Sequence, residues 1–235
     1  MLFAVGVMIR LGIWQLDRLA ARRAGNAHIR AMQAAPALDL NTLDPSLELE
    51  TMEYRRAAAQ GVYDFNRQVA LRNQYWGIPD GPAEYGYHLL TPLLLLDGRA
   101  VLVDRGWIPG SYDDPLSWRA FDQPGEVAVT GILRLSQAEA EMGGLSTGEA
   151  LPGQRLDFWV LPDLPSISLQ LPYTLLPVYL QQASVAGEAA LPYKALPELV
   201  LTDGSHLGFA LQWFFYASLV FFGYPVFLRK RQGGQ

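Results

Sequence analysis

YGYHLLTPLLLLDGRAVLVDRGWIPG, residues 85–110, holds two apolar runs on either side of Asp97-Gly98. Asp-Gly between hydrophobic runs is a strong hairpin signal, of the two-residue loop with positive φ at both central positions. Strand alternation then places Tyr85, Tyr87 and Leu89 on one face of the first run and Gly86, His88 and Leu90 on the other. In the second run Val101 and Val103 share a face, Leu102 and Asp104 take the opposite one, and Gly106 permits a sharp turn between Arg105 and Trp107. An antiparallel β fold is the reading that this stretch imposes.

The same rhythm of short apolar runs between Gly and Pro signals recurs on either side of this stretch. YRRAAAQGVYDF (54–65, with a bend expected at Gly61), QVALRNQ (68–74) and VAVTGILRL (127–135) read as strands. FWVLP (158–162), YTLLPVYLQQAS (173–184) and PYKALPELVL (192–201) are weaker strand candidates interrupted by proline. Residues 136–154, rich in Gly, Ala, Glu and Ser, read as an insertion whose tip is poorly ordered. No internal repeat is visible. The expected domain, residues 54–204, is mostly β and barrel- or sandwich-like.

Apolar segments flank this domain. Leu207–Leu228 has 22 positions without a charge, roughly 33 Å of helix against a hydrocarbon core of about 30 Å. Residues 205–228 are therefore expected to form a transmembrane helix, with 229–235 as a tail. Residues 1–16 are apolar except for Arg10 and read as a first span whose start lies upstream of Met1. Arg10 must then snorkel or find a partner. Residues 17–53 read as a helix continuing out of that span, followed by a Pro-containing linker.

Arg229, Lys230 and Arg231 orient the C-terminus toward the cytoplasm, which puts both termini there and exports the β domain. Arg18, Arg22, Arg23 and Arg30 resist that orientation, although a long translocated domain is partly exempt from charge counting. The chain has no cysteine, which excludes disulfides, thiolate metal sites and Cys nucleophiles. A formal charge of −5 without a basic patch gives no sign of a nucleic-acid partner.

Several residues invite a functional reading beside a structural one. Arg105 and Trp107 present a cation and an indole to a partner, or else form a packed corner at a strand end with a local ion pair. Arg55 and Arg56 grip an acidic partner surface, or else are solvated strand-end charges. His88 reads as a satisfied structural histidine, His28 as a surface residue, and Asp113-Asp114 as a turn before Pro115. With no Ser-His-Asp order, phosphate loop or zinc motif in view, an enzyme is not expected.

His206 stands apart. Helical spacing sets His206, Ala210, Trp213 and Ala217 on one stripe, and the small alanines admit another helix or a flat ligand. An imidazole at a membrane boundary suits haem iron, with the propionates toward water and arginine. It also suits a plain interfacial polar residue, with Asp203 or Ser205 offering an N-cap. Gln212 and Gln15, each beside a Trp, are placed to hydrogen-bond to one another across an antiparallel helix pair.

LGIWQLDR (11–18), YRR with Gly61, GYHLLTPL (86–93), VLVDRGWIP (101–109), VTGILR (129–134) and HLGFALQWF (206–214) fall in an order and spacing that resembles the Surfeit locus protein 1 family. The resemblance spans nearly the whole chain. It implies a two-span bacterial plasma-membrane protein that assists assembly of haem-copper cytochrome c oxidase. It further implies subunit I as partner, haem A synthase as a second one, and haem A as a transient cofactor. The family histidine at the outer end of the second span corresponds to His206, with Trp213 and Gln212 beside it. The alternative is a protein-only scaffold for nascent oxidase. The chain departs from the family pattern at Asp104 (usually Asn), at Phe209 (usually Tyr), at Asp203-Gly204-Ser205 (usually carrying Asn) and in the acidic loop 138–149.

Overall fold

The computed structural model describes residues 2–44, 46–77, 82–137, 155–184, 190–196 and 199–232, with side chains excluded from 226 onward. The chain divides into two compact units, Met1–Ala31 with Leu199–Gln235, and Met32–Glu198.

Among the described residues the larger unit contains eight strands: β1 (Leu38–Asp39), β2 (Arg56–Tyr63), β3 (Val69–Trp76), β4 (Glu84–Leu95), β5 (Ala100–Pro109), β6 (Glu126–Leu135), β7 (Phe158–Trp159) and β8 (Leu175–Gln182). A short helix, α2 (Leu164–Ser168), precedes β8. Five strands close a barrel in the order β2, β6, β8, β5, β4 and back to β2. Within it only the β5–β8 pairing is parallel. Closure pairs the five barrel strands with one another, while β1 extends the sheet beside β2, and β3 with β7 beside β4. β4 is long enough to pair with β3 over its first half and with β2 through Leu93–Leu95.

Closure depends on Gly61, which pairs with both Val127 and Leu95. A Cβ there would lie 2.1 Å from the Leu94 carbonyl oxygen. The residue is therefore a site of close backbone approach between paired strands, and the expected bend is replaced by continuous pairing.

Alternation explains the core. One face of each barrel strand contributes Ala57, Ala59, Tyr63, Leu93, Val101, Val103, Val129, Leu133, Val178 and Leu180 to the interior, joined by Leu40 and Leu49 of the linker. The opposite face of β3, β4, β5 and β8 contributes Leu71, Leu90, Leu102 and Tyr179, covered by Trp159, Leu164 and Ile167. Because both faces of β5 are covered, its residues from Ala100 to Ile108 are all buried.

The β4–β5 hairpin differs from its expected form. Gly98 donates to the Leu95 carbonyl, Leu95 donates to that of Arg99, and only Gly98, at φ +85°, is left-handed. This is a three-residue loop, a type I turn followed by a glycine bulge. The strand expected over 192–201 is reduced, among the described residues, to a single bridge between Tyr193 and Trp107. FWVLP shortens to the two residues of β7. The expectation of disorder over 136–154 falls on residues 138–154, which lie outside the described residues.

The smaller unit pairs α1 (Leu2–Ala34) with α3 (His206–Gln232). The expected first span and its continuation are thus one unbroken helix. Residues His206–Pro225 of α3 are long and apolar enough to cross a membrane.

Candidate functional site

Contacts across the helix pair run antiparallel: Arg22 meets Thr202, Gln15 meets His206, and Gly12 meets Phe214. The buried residues of α1, Val5, Gly12, Leu19 and Asn26, recur every seventh position. On α3 the buried alanines Ala210 and Ala217 are also seven apart. A seven-residue repeat is the seam of left-handed helix packing. Gly12 sits at its closest point, since a Cβ there would lie 2.5 Å from the Phe214 ring. The stripe of small residues below His206 is therefore occupied by α1.

At the head of the seam, His206 Nδ1 lies 2.9 Å from Gln15 Oε1. An amide oxygen only accepts, so Nδ1 is the donor, and in the neutral imidazole the lone pair is then on Nε2. The two glutamines expected to bond to each other do not. In antiparallel register Gln15 comes opposite His206, while Gln212 Nε2 donates to Tyr216 Oη at 3.0 Å on an exposed face. Trp213 shares the stripe of His206, whereas Gln212 lies about 120° round the helix.

Three of the four arginines that resist the charge rule bond to residues 201–203, and the fourth, Arg18, lies over the Trp14 ring at 5.8 Å. Arg22 Nε donates to the Thr202 carbonyl (2.8 Å), Asn26 to the same oxygen (3.1 Å), and Arg30 to that of Leu201 (3.1 Å). Arg23 pairs with Asp203 at 2.8 Å, so the expected capping carboxylate is engaged by α1. These contacts hold residues 201–203 against α1 just before α3 begins. Gly204 follows in left-handed conformation, and a Cβ there would lie 3.8 Å from both His206 Nε2 and Arg22 Nε. The ring nitrogen and the guanidinium thus border the same bare glycine. Arg10 is exposed on α1, as is His28.

Comparison with known proteins places this architecture. Residues 2–218 match the SURF1 family. The chain belongs to the SURF1 family. Among its relatives, the SURF1-like protein of Rickettsia felis is 24% identical over 228 residues, covering 95% of this chain and 93% of the relative. The SURF1-like protein of Monosiga brevicollis is 24% identical over 237 residues, with 97% and 86% covered. The Surfeit locus protein 1 of Takifugu rubripes is 28% identical over 138 residues, with 54% and 57% covered.

In this SURF1-family chain the quoted motifs map onto framework elements. LGIWQLDR lies on α1, GYHLLTPL on β4, VLVDRGWIP on β5, VTGILR on β6 and HLGFALQWF on α3. Four residues read as partner contacts divide sharply. Arg105 and Trp107 are only 2% and 1% exposed, inside the domain rather than on its surface. The Arg105 guanidinium lies over the rings of Tyr63 (5.0 Å) and Phe65 (5.1 Å), and it donates to Gln68 Oε1 at 3.1 Å and to the Phe121 carbonyl. The local ion pair of the structural reading is not made with the adjacent Asp104, because side chains at consecutive strand positions point to opposite faces. Trp107 stacks on Trp76 (5.9 Å) and on Tyr193 (6.0 Å), which also meet each other at 5.3 Å in a three-ring cluster. Arg55 is half-buried, donating to the Pro36 carbonyl at 3.1 Å, and Arg56 is exposed at the start of β2.

Two further pairings escaped the sequence. His88 Nδ1 lies 2.9 Å from Asp104 Oδ1, and Gln15 is the partner of His206. The first was hidden by the loop length. A two-residue loop pairs Thr91 with Asp104 and turns His88 away from it, whereas the observed loop pairs Leu90 with Asp104 and puts both on one face. Asp114, read as part of a turn, caps the helical turn Pro115–Phe121 by accepting from Leu116 N at 2.9 Å.

Proposed function

We propose that this SURF1-family protein is a membrane-held assembly factor for haem-copper cytochrome c oxidase, binding haem A transiently through His206 and assisting its insertion into subunit I. The observation that carries the reading is the His206–Gln15 bond, which leaves Nε2 as a ligating nitrogen and gives Nδ1 the hydrogen-bonded partner that metal-binding histidines have. Haem A, when bound, would supply an iron that accepts this nitrogen. The remaining work falls to the chain. Gln15 fixes the tautomer and plane of the imidazole, Trp213 lies on the same stripe, and Arg22 stands where an acidic substituent would be met. Gln212, turned to Tyr216, is a less direct contributor. α1 and α3 together form the membrane hairpin of this reading, surrounded by lipid. Both termini lie in the cytoplasm of a bacterial cell, and Arg56 is free to face subunit I or haem A synthase.

A second reading is favoured by the same bond. His206 and Gln15 are a polar contact between helices, and with the buried Ala210 and Ala217 they serve a scaffold that steadies nascent oxidase without binding haem. Co-expression with the haem A biosynthetic enzymes, purification, and comparison of Soret absorbance with that of His206→Ala separates the two. Loss of haem in the variant supports ligation. Equal haem in both proteins, with oxidase activity restored in a deletion strain, assigns the scaffold.

A further inference from the structure

A cleft of about 610 Å³ opens on the outer face of the barrel, and His206 does not line it. Its floor is a row of polar side chains on neighbouring strands: Gln74 on β3, His88 on β4, Asp104 on β5, Gln181 on β8 and Arg134 on β6. Its walls are apolar, formed by Leu71, Trp76, Leu161, Pro162 and Leu196. This size and mixture are those of small-molecule sites, which lie roughly in the range 300–1,000 Å³.

The floor holds two ion pairs, and each spends its acceptor internally. Asp104 takes hydrogen bonds from His88 Nδ1 (2.9 Å) and from Gly106 N (3.0 Å). Glu53 accepts from Arg134 Nε at 3.2 Å and does not line the cleft. With Nδ1 committed, Nε2 is the nitrogen that His88 offers to a ligand. Burial of the imidazole lowers its pKa, yet the charge of Asp104 and its hydrogen bond together outweigh this and leave it raised. The neighbouring Tyr179 is pushed upward by burial and stays a neutral phenol. What the floor presents is thus the Nε2 edge of His88, which donates when the imidazole is protonated, and the Arg134 guanidinium, whose Nη1 also donates to Gln181 Oε1 at 3.3 Å.

We propose that this cleft binds a small monocarboxylate with a flat apolar body, the carboxylate between His88 and Arg134 and the body against Trp76 and Leu161. Charge-assisted donors favour an oxyanion, and a wall with a Trp favours a planar partner. The proposal is independent of haem binding at His206.

The test uses the full chain in detergent at pH 6.5, with 2-naphthoate as probe and 2-naphthamide as its neutral counterpart, measured by equilibrium dialysis against protein-free micelles. Naphthoate is expected to bind, and the amide, His88→Gln and Arg134→Gln each to weaken binding roughly ten- to a hundred-fold, as loss of one charge-assisted hydrogen bond implies. Leu196→Trp, at the half-exposed rim, fills the cleft without touching either ion pair and should abolish binding at unchanged melting temperature. No binding of naphthoate, equal binding of the amide, or equal binding by His88→Gln and Leu196→Trp would overturn the proposal.

Discussion

Arg105→Met offers a quantitative test of the barrel interior. The side chain is enclosed, and its guanidinium holds Gln68 Oε1 and the Phe121 carbonyl while covering two aromatic rings. Thr91 Oγ1 also donates to Gln68 Oε1, at 2.5 Å, so Gln68 keeps a partner in the variant and the Phe121 carbonyl is the group left short. Hydrogen bonds from charged donors are worth about 1.5–3 kcal/mol each. Methionine recovers much of the volume and removes the cost of burying a cation, a cost large enough to lower the Arg105 pKa. The balance is a loss of about 2–4 kcal/mol, which is a fall in melting temperature of roughly 5–15 °C. Arg105→Lys should lose at least as much, since an ammonium lacks the planar fork that reaches both acceptors. Thermal unfolding of the full chain in detergent, followed by near-UV circular dichroism, provides the readout. Melting within about 1 °C of the parent, combined with lost binding to oxidase subunits, would show that Arg105 works at a surface and that its buried role is misassigned.

Gly61→Ala should cost about 1–3 kcal/mol or more, because the new methyl group meets the Leu94 carbonyl where the barrel closes; an unchanged denaturation midpoint would contradict this. Gln15→Leu should lower haem retention about 10–100-fold in the co-expression assay by releasing His206 Nδ1, with the helix pair still formed; retention at the parent level would remove Gln15 from the site. His88 has a pKa raised by Asp104 despite its burial, so its folded form holds its proton more tightly than the unfolded one. Its stabilising contribution is complete below the unfolded value of about 6.5 and is lost as pH rises through the folded value, a slope that His88→Gln should flatten in melting temperature against pH.

Much of the architecture could be read from residue order. The alternation in residues 85–110 assigns the faces of β5 correctly, and the charge-free run after Leu207 marks α3. The stripe of His206, Ala210 and Ala217 also emerges from periodicity alone, because helix and strand repeats are local properties of the backbone. Arg105 is different. Its surroundings combine Tyr63, Phe65, Gln68 and Phe121, residues 16 to 42 positions away in the chain, which only barrel closure assembles.

The same contrast explains the two histidines. Sequence alone established a β domain beside an apolar helix, and singled out His206, because hydrophobic period and composition depend on neighbours in the chain. It did not decide which partner each imidazole would meet. One residue of loop length turned His88 onto the face of Asp104, and the antiparallel register of α1 against α3 brought Gln15, not Gln212, to His206. Register is set by the packing of whole elements, and a side chain's chemistry follows from whatever that packing places within about 3 Å of it.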